Sequence, residues 1–133
     1  MDAILIDTNI VIWYFGDYSK LTKHAENTVD DVVANGTVYV SSISIVELTY
    51  LAERKRVPIA TIDKLREAFD DDSTSFRLAN LDRGVADEVA NIDRSIVADM
   101  PDRIIAATAK HLGVPLVTSD GNIQKLVNVE TIW

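Results

Sequence analysis

Apolar positions in this sequence fall into short uninterrupted runs separated by longer stretches with three- and four-residue spacing. Ala3–Ile6 is a run of four and predicts a buried strand. Asn9–Phe15 reads as the start of a helix, although Ile10, Val11 and Ile12 also suit a strand. Over Leu21–Ala34 the apolar or small residues Leu21, Ala25, Val29, Val32 and Val33 share one helical face, and Asn35-Gly36 gives a stop. Thr37–Val40 predicts a second strand, followed by a helix over Ser44–Arg54 that ends in Arg54-Lys55-Arg56. Pro58 suits the first turn of another helix, Ile59–Phe69, which Asp70-Asp71-Asp72-Ser73 breaks.

Phe76–Leu81 carries a weaker strand signal, and Asp82 is placed to cap a helix reaching Ile92. Pro101–Leu112 is the clearest helix and closes at Gly113. Pro115–Thr118 predicts a fourth strand, Asn122–Leu126 a turn or short helix, and Val129–Trp133 a fifth strand. Strands alternating with helical crossovers imply an α/β fold: a five-stranded, mostly parallel sheet with helices on both faces. A length of 133 residues matches one domain spanning 1–133. In such sheets ligands gather outside the carboxyl ends of the strands.

Composition narrows the chemistry. The chain has no cysteine, which removes disulfides, thiolate zinc sites and a cysteine nucleophile. Its formal net charge of −8 argues against a simple basic clamp for nucleic acid. Nucleic acid as a substrate stays open, because a divalent cation can supply positive charge locally. No basic stretch precedes the first apolar run, and no window approaches 18 apolar residues. A secretory signal and a membrane span are therefore not expected, and the cytoplasm is the default location.

Four acids stand where an α/β sheet would gather them. Asp7 follows Ile4-Leu5-Ile6, and Asp120 follows Leu116-Val117-Thr118-Ser119. Glu47 lies inside Ile45-Val46-Glu47-Leu48, and Asp102 precedes Ile104-Ile105-Ala106-Ala107. Each has a structural reading: Asp7 as a helix cap, Glu47 in a capping box with Ser44, Asp102 as a first-turn acid, Asp120-Gly121 as a turn. Taken together they suggest a divalent cation. Two carboxylates about 4 Å apart repel by about 4 kcal/mol at an effective dielectric near 20. Magnesium or manganese, which prefer oxygen ligands, would reverse that penalty and activate a water for attack on a phosphodiester.

The segments LIDTNI (Leu5–Ile10), SIVEL (Ser44–Leu48), DMPDRIIAATA (Asp99–Ala109) and LVTSD (Leu116–Asp120) resemble, in order, the four signatures of PIN-domain ribonucleases. Length and spacing resemble the single-domain VapC toxins of prokaryotic toxin–antitoxin pairs. The resemblance implies a PIN-like fold and a metal-dependent endoribonuclease that hydrolyses RNA. It also implies neutralisation by a cognate antitoxin, and commonly a homodimer. By the same resemblance Asp7 and Asp102 would be the most direct ligands of Mg2+ or Mn2+. Glu47 and Asp120 would act through water or hold a second ion. Asp99 would support the site or cap its helix, and Thr8, Asn9, Ser119 and Asn122 would be hydrogen-bonding supports.

The sequence also admits readings of other classes. One is a non-catalytic PIN-like module that binds RNA or a protein partner. A DxDxT phosphatase would need an aspartate where Asn9 stands, and a receiver domain would need an acidic pair that is not apparent. His24 and His111 lack partners at ligand spacing. Trp13, Tyr14 and Phe15 suit core or dimer contacts better than base stacking. Arg54-Lys55-Arg56 suits a basic helix end better than an RNA guide, and Asp70–Asp72 a solvated loop. Arg103 is expected to form an ion pair or to touch phosphate.

Overall fold

Each of the five expected strands forms in the computed structural model, which describes all residues from Met1 to Trp133. The strands are β1 (Ala3–Ile6), β2 (Thr37–Ser41), β3 (Phe76–Ala79), β4 (Leu116–Val117) and β5 (Thr131–Ile132). The helices are α1 (Thr8–Phe15), α2 (Lys23–Asn35), α3 (Ser42–Glu53), α4 (Ile59–Asp70), α5 (Arg83–Glu88) and α6 (Met100–Leu112). All strand pairs are parallel, in the order β3-β2-β1-β4-β5. From β1 the chain builds outward to β2 and β3, then crosses back to lay β4 and β5 on the other side. That reversal lies between β1 and β4, and it opens a crevice at their carboxyl ends.

Alternation along β1 fills two cores. Ile4 and Ile6 join Val38 and Val40 under α1, α2 and α4, while Leu5 faces the other way with Leu116, Ile105 and Ala106 under α5 and α6. Both faces of β1 are thus covered, which is why its sequence is continuously apolar rather than alternating. α6 presents Ile105, Ala106, Ala107 and Ala109 to the sheet, all at most 1% exposed. Truncating Ile105 to alanine would cost about 2–5 kcal/mol by opening a cavity there. Gly113 closes α6 at φ 67°, with its N–H turned back to the carbonyls of Ala109 and Lys110. No helix is long and apolar enough to cross a membrane.

Local chemistry explains where the elements depart from the expected boundaries. Ile10–Ile12 are helical because the Asp7 side chain accepts the Ile10 N–H and starts α1 directly after β1. That cap outweighs the β preference of three branched residues. α2 starts at Lys23, with Thr22 as its cap, rather than at Leu21. α3 starts at Ser42, capped by Ser41, so Ser44 lies inside the helix and the expected capping box with Glu47 is not formed. The helix expected from Asp82 to Ile92 is capped by Asp82 but tightens into a 3-10 turn over Val89–Asn91. β3 stops at Ala79, and β4 and β5 pair over two residues each.

Candidate active site

Asp7 arrives at the crevice by force of the ladder. Its N–H continues the β1–β4 pairing to the Val117 carbonyl (3.2 Å), while its Oδ1 caps α1 through Ile10 N (3.0 Å). The residue is held at two points, once by its backbone and once by its carboxylate, and is 6% exposed. Glu47 comes from the second turn of α3. Its Oε1 lies 2.6 Å from the Thr8 hydroxyl, which lies 2.8 Å from Ser44 Oγ. A hydroxyl carries one proton and an ionised carboxylate only accepts. Thr8 therefore donates to Glu47 and takes its own hydrogen bond from Ser44, which is completely buried.

Asp102 sits in the first turn of α6, and its N–H is capped by Asp99 Oδ2 at 3.2 Å. The Asp102 carboxylate accepts no hydrogen bond from the protein and stays free for the crevice. Asp120 follows β4. Its Oδ1 accepts the N–H groups of Asn122 (2.8 Å) and Ile123 (2.9 Å), and its own N–H donates to Thr118 Oγ1 (3.0 Å). The buried Thr118 hydroxyl also lies near enough to the Asp7 carboxyl to oppose its upward shift, so one hydroxyl borders two of the acids.

Asp7, Glu47, Asp102 and Asp120 line a single cleft of about 230 Å³ together with Thr8, Asn9 and Leu51. No basic side chain borders it, and none of the ion pairs in the molecule involves these acids. The electrostatics follow. Burial pushes Asp7 up to about 6, opposed by the bonds from Thr118 and Ile10 and reinforced by Asp120 and Glu47. Burial likewise pushes Asp102 up to about 7, helped by Asp99, Asp120, Glu47 and Asp7. Glu47 is raised by burial and by Asp99, against the Thr8 hydrogen bond. No three of these carboxylates close into a ligand shell by themselves. Mg2+ characteristically keeps several waters between itself and its carboxylates, so it does not require three of them in direct contact. An all-oxygen, uncompensated set of four acids fits a hard divalent cation and fits no softer metal.

A PIN domain family model matches residues 4–128, from β1 to the segment before β5. The chain belongs to the PIN domain family. Among relatives, Ribonuclease VapC22 of Mycobacterium tuberculosis (strain ATCC 25618 / H37Rv) is 26% identical over 126 residues, 93% of this chain and 92% of the relative. The PIN fold is shared with VapBC2 from Rickettsia felis bound to a DNA fragment from its promoter. That match has a TM-score of 0.74 at 16% identity and covers 98% of this chain and 97% of the other. VapBC-5 from M. tuberculosis, a member of the VapBC family of toxin–antitoxin systems, matches with a TM-score of 0.64 at 16% identity over 99% and 98% of the two chains.

The other singled-out residues fall in several places in this PIN fold. Asn9 is exposed at the cleft edge, and Asp99 acts as the α6 cap. Ser119 makes no hydrogen bond; the hydroxyl engaged in the site is that of its neighbour Thr118. Asn122 contributes only its backbone N–H. Arg103 forms neither an ion pair nor a free phosphate contact: its guanidinium is spent on the carbonyls of Val89 and Ile92, both at 2.9 Å. Trp13, Tyr14 and Phe15 pack on the α1–α2–α4 core. His24 is exposed on α2, and His111 lies at the far end of α6 beside Gly84. Sequence reading missed Thr118 and Ser44. Thr118 reads as the last residue of a strand. Ser44 reads as a cap until α3 is seen to begin two residues earlier.

Proposed function

We propose that this chain is a metal-dependent endoribonuclease of the VapC toxin type, active on RNA in the cytoplasm, with a cognate antitoxin as its inhibitor and a homodimer as its working form. The observation that carries the reading is the cleft at the sheet's switch point: four acids and no cation of the chain's own. The name of the M. tuberculosis relative, a ribonuclease, and the toxin–antitoxin complexes that share the fold support the same direction.

Asp7 and Asp102 would hold the ion most directly, with Glu47 and Asp120 acting through its waters or on a second ion. A bound Mg2+ or Mn2+ would supply positive charge at the phosphoryl oxygens and a more acidic water for in-line hydrolysis. The chain's part is positional. Thr8 and Ser44 orient Glu47, Thr118 holds the Asp120 backbone beside Asp7, and Asp99 fixes the helix turn that presents Asp102. Departure of the 3′ oxygen would leave 5′-phosphate and 3′-hydroxyl ends.

The test is cleavage of single-stranded RNA by the purified chain, with sequencing of the new 5′ ends. Cutting that stops in EDTA, returns with manganese and leaves 5′-phosphates is expected. Undiminished cutting after metal stripping would overturn the metal-dependent mechanism. Absence of cutting with either metal would point to a non-catalytic module.

A further inference from the structure

Outside the cleft, one run of three consecutive charges makes no side-chain hydrogen bond or ion pair. α3 ends at Glu53, and the chain turns through Arg54, Lys55 and Arg56 before α4. All three side chains are exposed, and none forms a hydrogen bond or ion pair. Their side chains do not hydrogen-bond the last carbonyls of α3, so anything they add to that helix end comes through charge alone. Some cations of this acidic chain, such as Arg77, Lys110, Arg83 and Arg103, bind a carbonyl or a carboxylate; Lys20, Arg66, Arg94 and Lys125 are free but scattered, whereas Arg54, Lys55 and Arg56 are consecutive.

Lys55 stands at φ 58°, the sole non-glycine residue in the left-handed region. The turn itself is made by backbone, with Lys55 N–H donating to Ala52 O (3.0 Å) and Arg56 N–H to Leu51 O (2.9 Å). Glycine would serve that turn at less conformational cost. A strained lysine adds only its charge, and strain of this kind points toward function.

The run is continuous with the acidic cleft. A groove of about 500 Å³ along α3 is lined by Tyr50, Arg54 and Met100 among others, and it shares Glu47 and Leu51 with the cleft. Lys55 and Arg56 border the next hollow, beside Ala52 and Val57. From Glu47 to Arg54 the helix advances about 10 Å at 1.5 Å per residue. That is about three nucleotides of a stacked strand at 3.4 Å each. Tyr50, 59% exposed between them, offers a ring on which a base can stack.

We infer that the Arg54–Lys55–Arg56 turn, with Tyr50 beside it, is the track for the phosphate backbone of single-stranded RNA leaving the acidic cleft along α3. The inference rests on the nuclease reading of that cleft.

The test measures binding of a fluorescein-labelled 12-nucleotide oligouridine by anisotropy in the non-cleaving Asp7→Asn chain with Mg2+, between 50 and 200 mM salt. Removing both arginines (Arg54→Ala with Arg56→Ala) is expected to weaken binding about 25-fold at 0.1 M salt and to flatten the salt slope by about 1.4, since each phosphate contact on a single strand contributes about 0.7. Lys55→Gly is expected to weaken binding about fivefold. At the same time it should raise the thermal midpoint by about 3 °C, because the strain is relieved. Weaker binding by a more stable protein separates a lost contact from a damaged fold. Wild-type affinity and slope in these variants would overturn the track, and would leave the run to an acidic protein partner or to no partner. If the Asp7→Asn parent itself binds no oligouridine and the wild-type chain cuts no RNA, the nuclease reading fails first.

Discussion

Two acidic settings on helices of this molecule are built on opposite plans. On the α5–α6 side, Glu88 faces Lys110 at 3.0 Å and takes a hydrogen bond from Asn91. The Asn91 bond, with Lys110 beside it, holds the Glu88 carboxyl below its ordinary range. At the sheet's carboxyl edge, Glu47 and Asp102 face other acids and no cation, and both are pushed upward. The chain therefore has the means to neutralise a carboxylate where it packs two helices together. It withholds those means at the switch point. A cluster left in that state is compensated by protons at low pH, or by a cation from outside.

The sharpest way to break the contrast is to remove a cleft charge. Asp102→Asn, or Asp7→Asn, is expected to lower RNA cleavage about a thousandfold, the scale of losing one electrostatic contact in a preorganised site. The circular dichroism spectrum should be unchanged, and Mn2+ should no longer raise the thermal midpoint. Wild-type rates in either variant would remove these acids from the mechanism.

A second, intermediate effect is the pH dependence of stability without metal. Asp7 and Asp102 hold their protons to about 6 and about 7 when folded, against 3.8 for a free aspartate. Between those values the folded chain binds more protons than the unfolded one. Their contribution to stability is fully present below pH 3.8, and it is lost as the pH rises through 6 and 7. Urea midpoints of the metal-free protein should fall from pH 4 to pH 7 relative to the Asp7→Asn, Asp102→Asn double variant. Parallel curves would show that the acids are not electrostatically strained.

The smallest effect belongs to the other setting. Lys110→Ala breaks a partly exposed pair, and such pairs contribute little. A shift of the thermal midpoint by about 2 °C or less is expected, with unaltered cleavage. A large loss of cleavage would mean that the two regions are not independent.

Much of the sheet was readable because β1 to β3 are apolar runs bounded by caps and turn residues. The acids at the ends of β1 and β4 were readable because position after a strand is itself the signal. The start of α3 was not readable: Ser41, Ser42 and Ser44 are all plausible caps, and only the pairing of β2 with β3 through Ser41 and Ala79 settles which is used. The supporting hydroxyls were legible in kind but not in place. Ser119 and Thr118 are adjacent and chemically alike, and the choice depends on which one points between Asp7 and Asp120. The strands β4 and β5 fell short of the longer runs predicted, pairing over two residues each, although the ladder bond from Thr118 N–H to the Ile132 carbonyl continues just beyond them.

Ser41 is both the last residue of β2 and the cap of α3, so nothing slack joins the two. Each residue added at that joint would rotate the helix by about 100°. Glu47 would swing out of the cleft and Leu48 out of the core together. The direction in which Glu47 points is thus geared to the register of a strand, and lengthening the chain at this one place would disarm the site without altering any of its acids.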